Sequence, residues 1–407
     1  MSDAISSWFT EISSSAQLWL ICRPNFLTRS ILNLFYIIDT FLYAADPFSV
    51  LKRHSAIMGT NYAALGRIIV GDYEIAADII SNPQKRGNYL GRTKLNEDKL
   101  PKNFPLFLSD EEAGGGTLHS IIHENLWTLM QKALDRVNGT EYTSYVKEGV
   151  EEWNSGTDKA TRDKAISNLV IKYIVQSIFD IVLSQEDIDL WSNIANSPDP
   201  TANYLVGAWH PFSGIFHFFQ STRTEYFEKA REMVIDSPAL KDYVPSDNNA
   251  NMTKSEYAEA LVSMVSIAGI LGGIELLKAI IEIPGNAAIN VTDEMEVTYA
   301  VLEAARIRPP VLNANAISMS ERTLEVNGNL HTIPSDTVFM YSIALASLDP
   351  EIYEDPFTFD HMRENLTESV LLFNHVGYYP ERVGLRNCPG RNVVIKLGRS
   401  FLVEARG

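Results

Sequence analysis

Cys388 is one of only two cysteines in a chain of 407 residues, and its neighbours suit an ionised sulfur. It lies in Val383-Gly384-Leu385-Arg386-Asn387-Cys388-Pro389-Gly390-Arg391, immediately before an apolar helical run. A thiolate needs backbone N–H groups and the positive end of a helix pointed at it. Pro389 suits the first turn of that helix, where its missing N–H costs nothing. Gly384 and Gly390 permit a tight turn and close approach of the backbone to a ligand. Arg386 offers a cation for a carboxylate on such a ligand. From the residues alone, the loop reads equally well as a buried structural cysteine.

Two further pairs have the spacing of working groups. Glu303 and Arg306 place an acid and a base on one helix face, one turn apart; alone this is an ordinary solvated ion pair. His119 and His123 also stand one turn apart, after Gly114-Gly115-Gly116. They could share a metal on one face, but no third ligand accompanies them. Surface histidines are the plainer alternative. The glycine run lacks a following Lys-Ser/Thr, so it makes a poor phosphate loop.

The elements that carry these groups are mostly helical. Helices are expected over 73–81, 118–137, 160–183, 225–235 and 292–307, and a long one over 254–283 that stops at Pro284-Gly285. The apolar character of the long helix on several faces implies that it runs through the core. Ile68-Ile69-Val70 before Gly71-Asp72 reads as a strand, and 322–340 as strands around the turn Asn327-Gly328-Asn329. No repeat or linker divides the chain, so one mostly helical domain with a minor β region is expected over 49–407. Residues 1–48 form an apolar N-terminal segment.

A formal charge of −17 argues against nucleic acid or an anionic membrane surface as the main partner. Two cysteines exclude a disulfide framework and suit a reducing compartment. No basic region and cleavage site mark a signal peptide. Residues 31–45 (ILNLFYIIDTFLYAA) are strongly apolar but contain Asp39 and are short for a span. They read as an amphipathic segment beside a hydrophobic substrate entrance, or as a plain buried helix. The expected location is therefore cytoplasmic or peripheral to a membrane.

Taken in order, Glu303-Ala304-Ala305-Arg306, Ile307-Arg308-Pro309-Pro310, Asp355-Pro356-Phe357-Thr358-Phe359-Asp360-His361-Met362-Arg363 and the Cys388 loop resemble the C-terminal half of cytochrome P-450. The resemblance is most specific over 296–400 and weaker over 50–295. It implies a single-domain, mostly α haem protein in which Cys388 is the axial thiolate of haem b. Glu303, Arg306 and Arg363 would then form a structural ion cluster that holds the thiolate loop. By the same resemblance His119, His123 and Arg386 would meet haem propionates, with Gly384 and Gly390 shaping the loop. The family usually has an arginine where His123 stands, so its charge here depends on pH.

The chain departs from the family where dioxygen is activated. That machinery is an acid and an alcohol after a glycine pair on the central helix. Here the matching stretch is Ala268-Gly269-Ile270-Leu271-Gly272-Gly273-Ile274-Glu275-Leu276-Leu277. Glu275 keeps the acid, but Leu276 replaces the alcohol. Gly272-Gly273-Ile274 and the extra residues Phe373 to Pro380 resemble the allene oxide synthase and hydroperoxide lyase branch, although Gly269 replaces that branch's catalytic asparagine. The family's C-terminal strands are shortened here, as in a compact chain or an incomplete one.

The resemblance thus implies a haem-thiolate oxidoreductase of a hydrophobic, lipid-like molecule, fed by a peroxide or hydroperoxide. Glu275 would be its acid–base group, and Gly269, Gly272 and Gly273 would give the substrate room. Alternatives are an oxygen-dependent monooxygenase with a separate electron-transfer reductase, or a non-catalytic member of the family. Substrate contacts are expected near Phe104 to Leu108 and His210 to Phe219.

Overall fold

The structure is a computed structural model, and it describes residues 2–43, 47–81, 118–196, 221–246, 251–317, 320–335, 337–373, 375–379 and 387–407. Three helices lead, α1 (Ser2–Ile21), α2 (Phe26–Tyr43) and α3 (Pro47–Met58). The hairpin β1 (Asn61–Ala64) and β2 (Arg67–Val70) follows, and then α4 (Tyr73–Ser81). The helical body begins with α5 (Leu118–Val137), α6 (Thr140–Ser155), α7 (Lys159–Phe179) and α8 (Gln185–Asn196). It continues with α9 (Ser221–Ile235), α10 (Lys254–Met264), a π-helical stretch Val265–Leu271, α11 (Gly272–Ile281) and α12 (Glu294–Ile307). Beyond it come β3 (Asn313–Ile317), β4 (Arg322–Val326), β5 (Asn329–Ile333), β6 (Val338–Ser342) and α13 (Ile343–Ala346). The chain closes through α14 (Leu366–Ser369), β7 (Leu371–Leu372), β8 (His375–Val376) and α15 (Arg391–Arg406).

Local chemistry explains most of these boundaries. Asp158 caps α7 by accepting from the Thr161 N–H. Helix α7 stops at Phe179, short of the expected 183, because Asp180 turns left-handed (φ 58) and its N–H caps Gln176. Thr253 and Glu256 form a reciprocal capping box on α10, and Asp293 caps α12. Asn327 (φ 55) and Gly328 (φ 71) make the two-residue turn between β4 and β5, as their types require. Leu65 and Gly66 make the corresponding turn between β1 and β2 (φ 55 and 64). Strand β1 escaped the sequence reading because nothing in Leu65-Gly66 resembles a usual turn pair.

The sheet runs β1-β2-β6-β3, with β2 parallel to β6 and its other pairs antiparallel. Its strands bury Ile68, Val70, Phe339 and Tyr341 against α4 and α1. A larger apolar core lies between α5, α6, α7, the 254–281 helix, α12 and α15. The 254–281 helix does run through that core, but it is not uniform. Seven residues in its middle are π-helical, a geometry that tends to mark functional sites.

The N-terminal helices are tied to the sheet by buried polar groups. Gln17 donates to Asp39 (3.0 Å) and accepts from the Gly66 N–H (2.7 Å), while Asp39 also accepts from the Leu65 N–H (2.7 Å). No described helix is long and apolar enough to cross a membrane.

Candidate functional site

Cys388 sits one turn ahead of α15, whose N-cap is Gly390. Pro389 therefore belongs to the turn before the helix rather than to its first turn. The Cys388 N–H donates to the Phe373 carbonyl (2.8 Å), so the end of β7 holds the loop. Phe373 reaches that position with a left-handed φ of 55.

Cys388 is half-buried as a residue, and protein atoms enclose its thiol. Burial raises the thiol pKa and outweighs the other influences. Against it work the backbone N–H groups of Gly390 and Arg391 and the charge of the Arg391 side chain. Donors aimed at a sulfur that is not otherwise favoured as an anion suit a thiolate whose charge is completed by a metal cation. The residues present therefore fit an axial ligand.

Gly390 has an ordinary φ of −85, so its freedom to turn is not used. A Cβ there would stand 3.8 Å from Met130 Sδ and 4.0 Å from Cys388 Sγ, ordinary contacts. The glycine leaves space beside the sulfur rather than permitting an otherwise forbidden turn. Gly384 and Arg386 lie outside the described residues.

Arg391 locks the loop from below. Its side chain is buried, its Nε donates to the Tyr379 carbonyl (2.8 Å), and an Nη donates to Asn387 Oδ1. The guanidinium also lies over the Trp127 ring of α5, 4.9 Å from its centroid. Helix α5 thus shoulders the cysteine loop through Trp127 and Met130. Positions 119, 123, 127 and 130 share one face of α5 at helical spacing. The backbone thus places His119 and His123 on the face that meets the loop; their side chains lie outside the described residues.

Glu303, Arg306 and Arg363 meet in one ion cluster. Arg306 pairs bidentately with Glu303 (2.7 and 2.8 Å), and both side chains are fully buried. It also donates to the carbonyls of Ser347 (2.7 Å) and Pro356 (2.9 Å) and stacks on Tyr353. Arg363 Nε donates to the same Glu303 carboxylate (3.0 Å), as does the Asp360 N–H (3.1 Å). Arg363 also donates to the carbonyls of Glu354, Asp355 and Thr358. One buried carboxylate therefore gathers α12 and the 354–363 segment.

The central helix meets the sequence expectations less well. A Cβ on Gly269 would stand 3.2 Å from Ile174 of α7, so this glycine serves helix packing rather than substrate space. Gly273 does the same against Val170 (2.8 Å) and Val394 of α15 (3.7 Å). Only Gly272 faces open space. Glu275 is held by Lys278 (2.6 Å) and Arg308 (3.6 Å) in half-exposed ion pairs, the geometry of a surface acid. Ser266 spends its hydroxyl on the Val262 carbonyl of its own helix (2.7 Å).

A separate cleft of about 1010 Å³ lies between α1, the end of α3 and the β4–β5 turn. Its lining includes Trp19, Met58 and His331 and, among the described residues, none of the Cys388 loop. The expected substrate contacts at 104–108 and 210–219 fall outside the described residues. The site residues missed by sequence are Arg391, Trp127 and Met130. Their signal was available: Trp127 continues the 119/123 stripe, and Arg391 is the charged residue at the mouth of α15.

The cytochrome P450 family model matches residues 278–395. None of the curated protein sequences compared with the chain matches it. Among solved structures, a mutant of P450 EryK in complex with erythromycin B is 16% identical, with 88% of each chain covered and a TM-score of 0.61. The Bacillus subtilis 168 bacillaene polyketide synthase cytochrome P450 PksS is 13% identical, covering 89% of this chain and 88% of its own at a TM-score of 0.58. P450BioI in complex with hexadec-9Z-enoic acid ligated acyl carrier protein is 15% identical, covering 88% and 90% at 0.58.

Proposed function

We propose that the chain, whose residues 278–395 match the cytochrome P450 family model and whose fold is that of solved cytochromes P450, is a divergent haem-thiolate oxidoreductase of a hydrophobic small molecule. The observation that carries the proposal is the sulfur of Cys388, faced by the Gly390 and Arg391 N–H groups, on a loop whose Cys388 N–H donates to the Phe373 carbonyl. Haem held there by Cys388 would supply the chemistry of oxygen–oxygen bond cleavage. The protein's part is to keep that sulfur ionised and in place. Arg391 fixes the loop to α5 and to Tyr379, and the Glu303 cluster fixes the segment that leads into it.

A hydrophobic substrate is supported by two neighbours whose bound ligands are erythromycin B and a hexadecenoic acid carried on a protein. The open side of Gly272 offers a substrate room on the central helix. Oxygen insertion is the reaction most consistent with the family, with dioxygen and an electron-transfer reductase as its usual source.

A second oxygen source is favoured by one observation. Among the described side chains of 265–281, the hydroxyl of Ser266 is spent on its own helix and the acid Glu275 is engaged by two cations. Neither is free to hand protons to bound dioxygen, so a peroxide or organic hydroperoxide, which arrives already reduced, suits this helix better. The specific allene oxide synthase branch gains no support from the comparisons.

The test is spectral. The purified protein, reduced and exposed to carbon monoxide, should give a thiolate-type spectrum that Cys388→Ala abolishes; a protein that never takes up haem ends the proposal. Turnover with a fatty acid hydroperoxide and no electron donor selects the peroxide source. Strict dependence on a reductase and dioxygen selects the other.

A further inference from the structure

The cleft between α1, the end of α3 and the β4–β5 turn has walls that are fixed to each other before any ligand arrives. Ser14 of α1 donates to Asn327 Oδ1 (3.0 Å), and the Ala63 N–H donates to the same oxygen (3.3 Å). The Asn327 N–H in turn donates to the Asn61 carbonyl (2.9 Å). The left-handed pair Asn327-Gly328 thus sets the β4–β5 turn against both α1 and β1. A cleft built this way loses little freedom when it is filled. Its volume, about 1010 Å³, is at the upper end for small-molecule pockets, which span roughly 300–1,000 Å³.

The lining joins an apolar surface to cationic chemistry. Leu18 and Met58 are buried in it, and Cys22 adds a thiol whose pKa burial raises against the pull of Arg23, so it stays neutral. Trp19 borders the cleft with 55% of its surface exposed, a large flat face with room for a second ring. Arg23 lies over the same indole, 4.5 Å from its centroid, and donates to the Trp19 carbonyl (3.3 Å). A guanidinium stacked by its face keeps its remaining edge N–H groups for a carboxylate. Among the described residues none offers Arg23 one, although acids outnumber lysines and arginines by 51 to 34. Arg136, Arg231, Arg308, Arg322 and Arg399 each hold a carboxylate. His331, on the facing wall, is half-buried, and its side chain has no hydrogen-bond partner among the described residues.

We propose that this cleft is a second ligand site that takes a flat aromatic monoanion, with its carboxylate at Arg23, its ring against Trp19 and Met58, and His331 as a donor from the facing wall. The acid of the lining, Glu11, stands about 15 Å back along α1 from its end at Ile21 and already accepts from Ser7 (3.4 Å). The anion therefore seats at the Arg23 end. A net charge of −17 disfavours a polyanion such as a nucleotide, which leaves a single charge on an apolar body. This binding is independent of what happens at Cys388.

The probe is 2-naphthoate, with 2-naphthamide as its uncharged counterpart, each titrated calorimetrically into the full-length, haem-loaded protein while the haem absorption is followed. Naphthoate should bind saturably at a site that leaves the haem absorption unchanged, and naphthamide at least about tenfold more weakly. Salt at about 0.5 M should weaken naphthoate and spare naphthamide. Arg23→Gln and Trp19→Leu should each weaken naphthoate about tenfold, with far-ultraviolet circular dichroism unchanged. Arg23→Lys should recover part of the loss, because it keeps the charge without the planar fork. The proposal is overturned by wild type that binds no naphthoate outside the haem site, by equal affinity for the two probes, or by variants that bind as wild type does. Should one variant fold poorly, the comparison of the two probes on wild type still decides. Absence of a thiolate-type spectrum alone would strike the haem reading and leave this one standing.

Discussion

The Arg306 guanidinium forks onto the Glu303 carboxylate through bonds of 2.7 and 2.8 Å, with neither side chain exposed to solvent. Removing one partner leaves the other charged, buried and without its main counter-ion. Arg306→Ala and Glu303→Gln should therefore each cost about 3–5 kcal/mol in denaturant unfolding. Arg363 shares the same carboxylate from a position nearer the surface. Arg363→Gln should cost less, about 1–3 kcal/mol.

Arg391 should behave as a clamp on the cysteine loop. Arg391→Met keeps the bulk but removes the donors to Tyr379 and Asn387. A loss of about 2–4 kcal/mol in unfolding free energy and a lower haem content are expected. Arg391→Lys should recover part of both, because a lysine keeps the charge but not the planar fork.

The adjacent glycines of the central helix should respond oppositely to one methyl group. A Cβ at 273 meets Val170 at 2.8 Å, so Gly273→Ala should destabilise the fold by about 1–3 kcal/mol. A Cβ at 272 meets nothing within 4 Å, so Gly272→Ala should be neutral or stabilise the helix by up to about 1 kcal/mol. If Gly272 lines the substrate space, the same variant should shift the spectral dissociation constant for substrate without loss of haem.

His54 links stability to pH. Burial, with Arg53 close by, lowers its pKa from 6.5 to about 4. The unfolded chain therefore binds more protons than the folded one between those values. Stability is whole above pH 6.5 and is lost as pH falls toward 4, by at most about 3 kcal/mol and by less where the ring still meets solvent. His54→Gln should flatten the slope of unfolding free energy over that window.

Some of this molecule was settled by residues acting on their neighbours in sequence. Asn327-Gly328 turns left-handed, Asp293 and Thr253 cap helices, and Glu303, Arg306, Arg363 and Cys388 came in the order that pointed to the fold. Other features needed the tertiary structure, because they depend on which side of an element faces what. Gly269 and Gly273 looked like substrate space until α7 closed against them. Glu275 looked like a working acid until Lys278 and Arg308 reached it from the surface. The apolar run at 31–45 drew attention by composition, whereas Trp8, Phe9 and Trp19 of α1 are exposed, and the buried serine and glutamine of that helix decide its orientation. Composition tells how much apolar surface a helix has; only its partners decide which way that surface points.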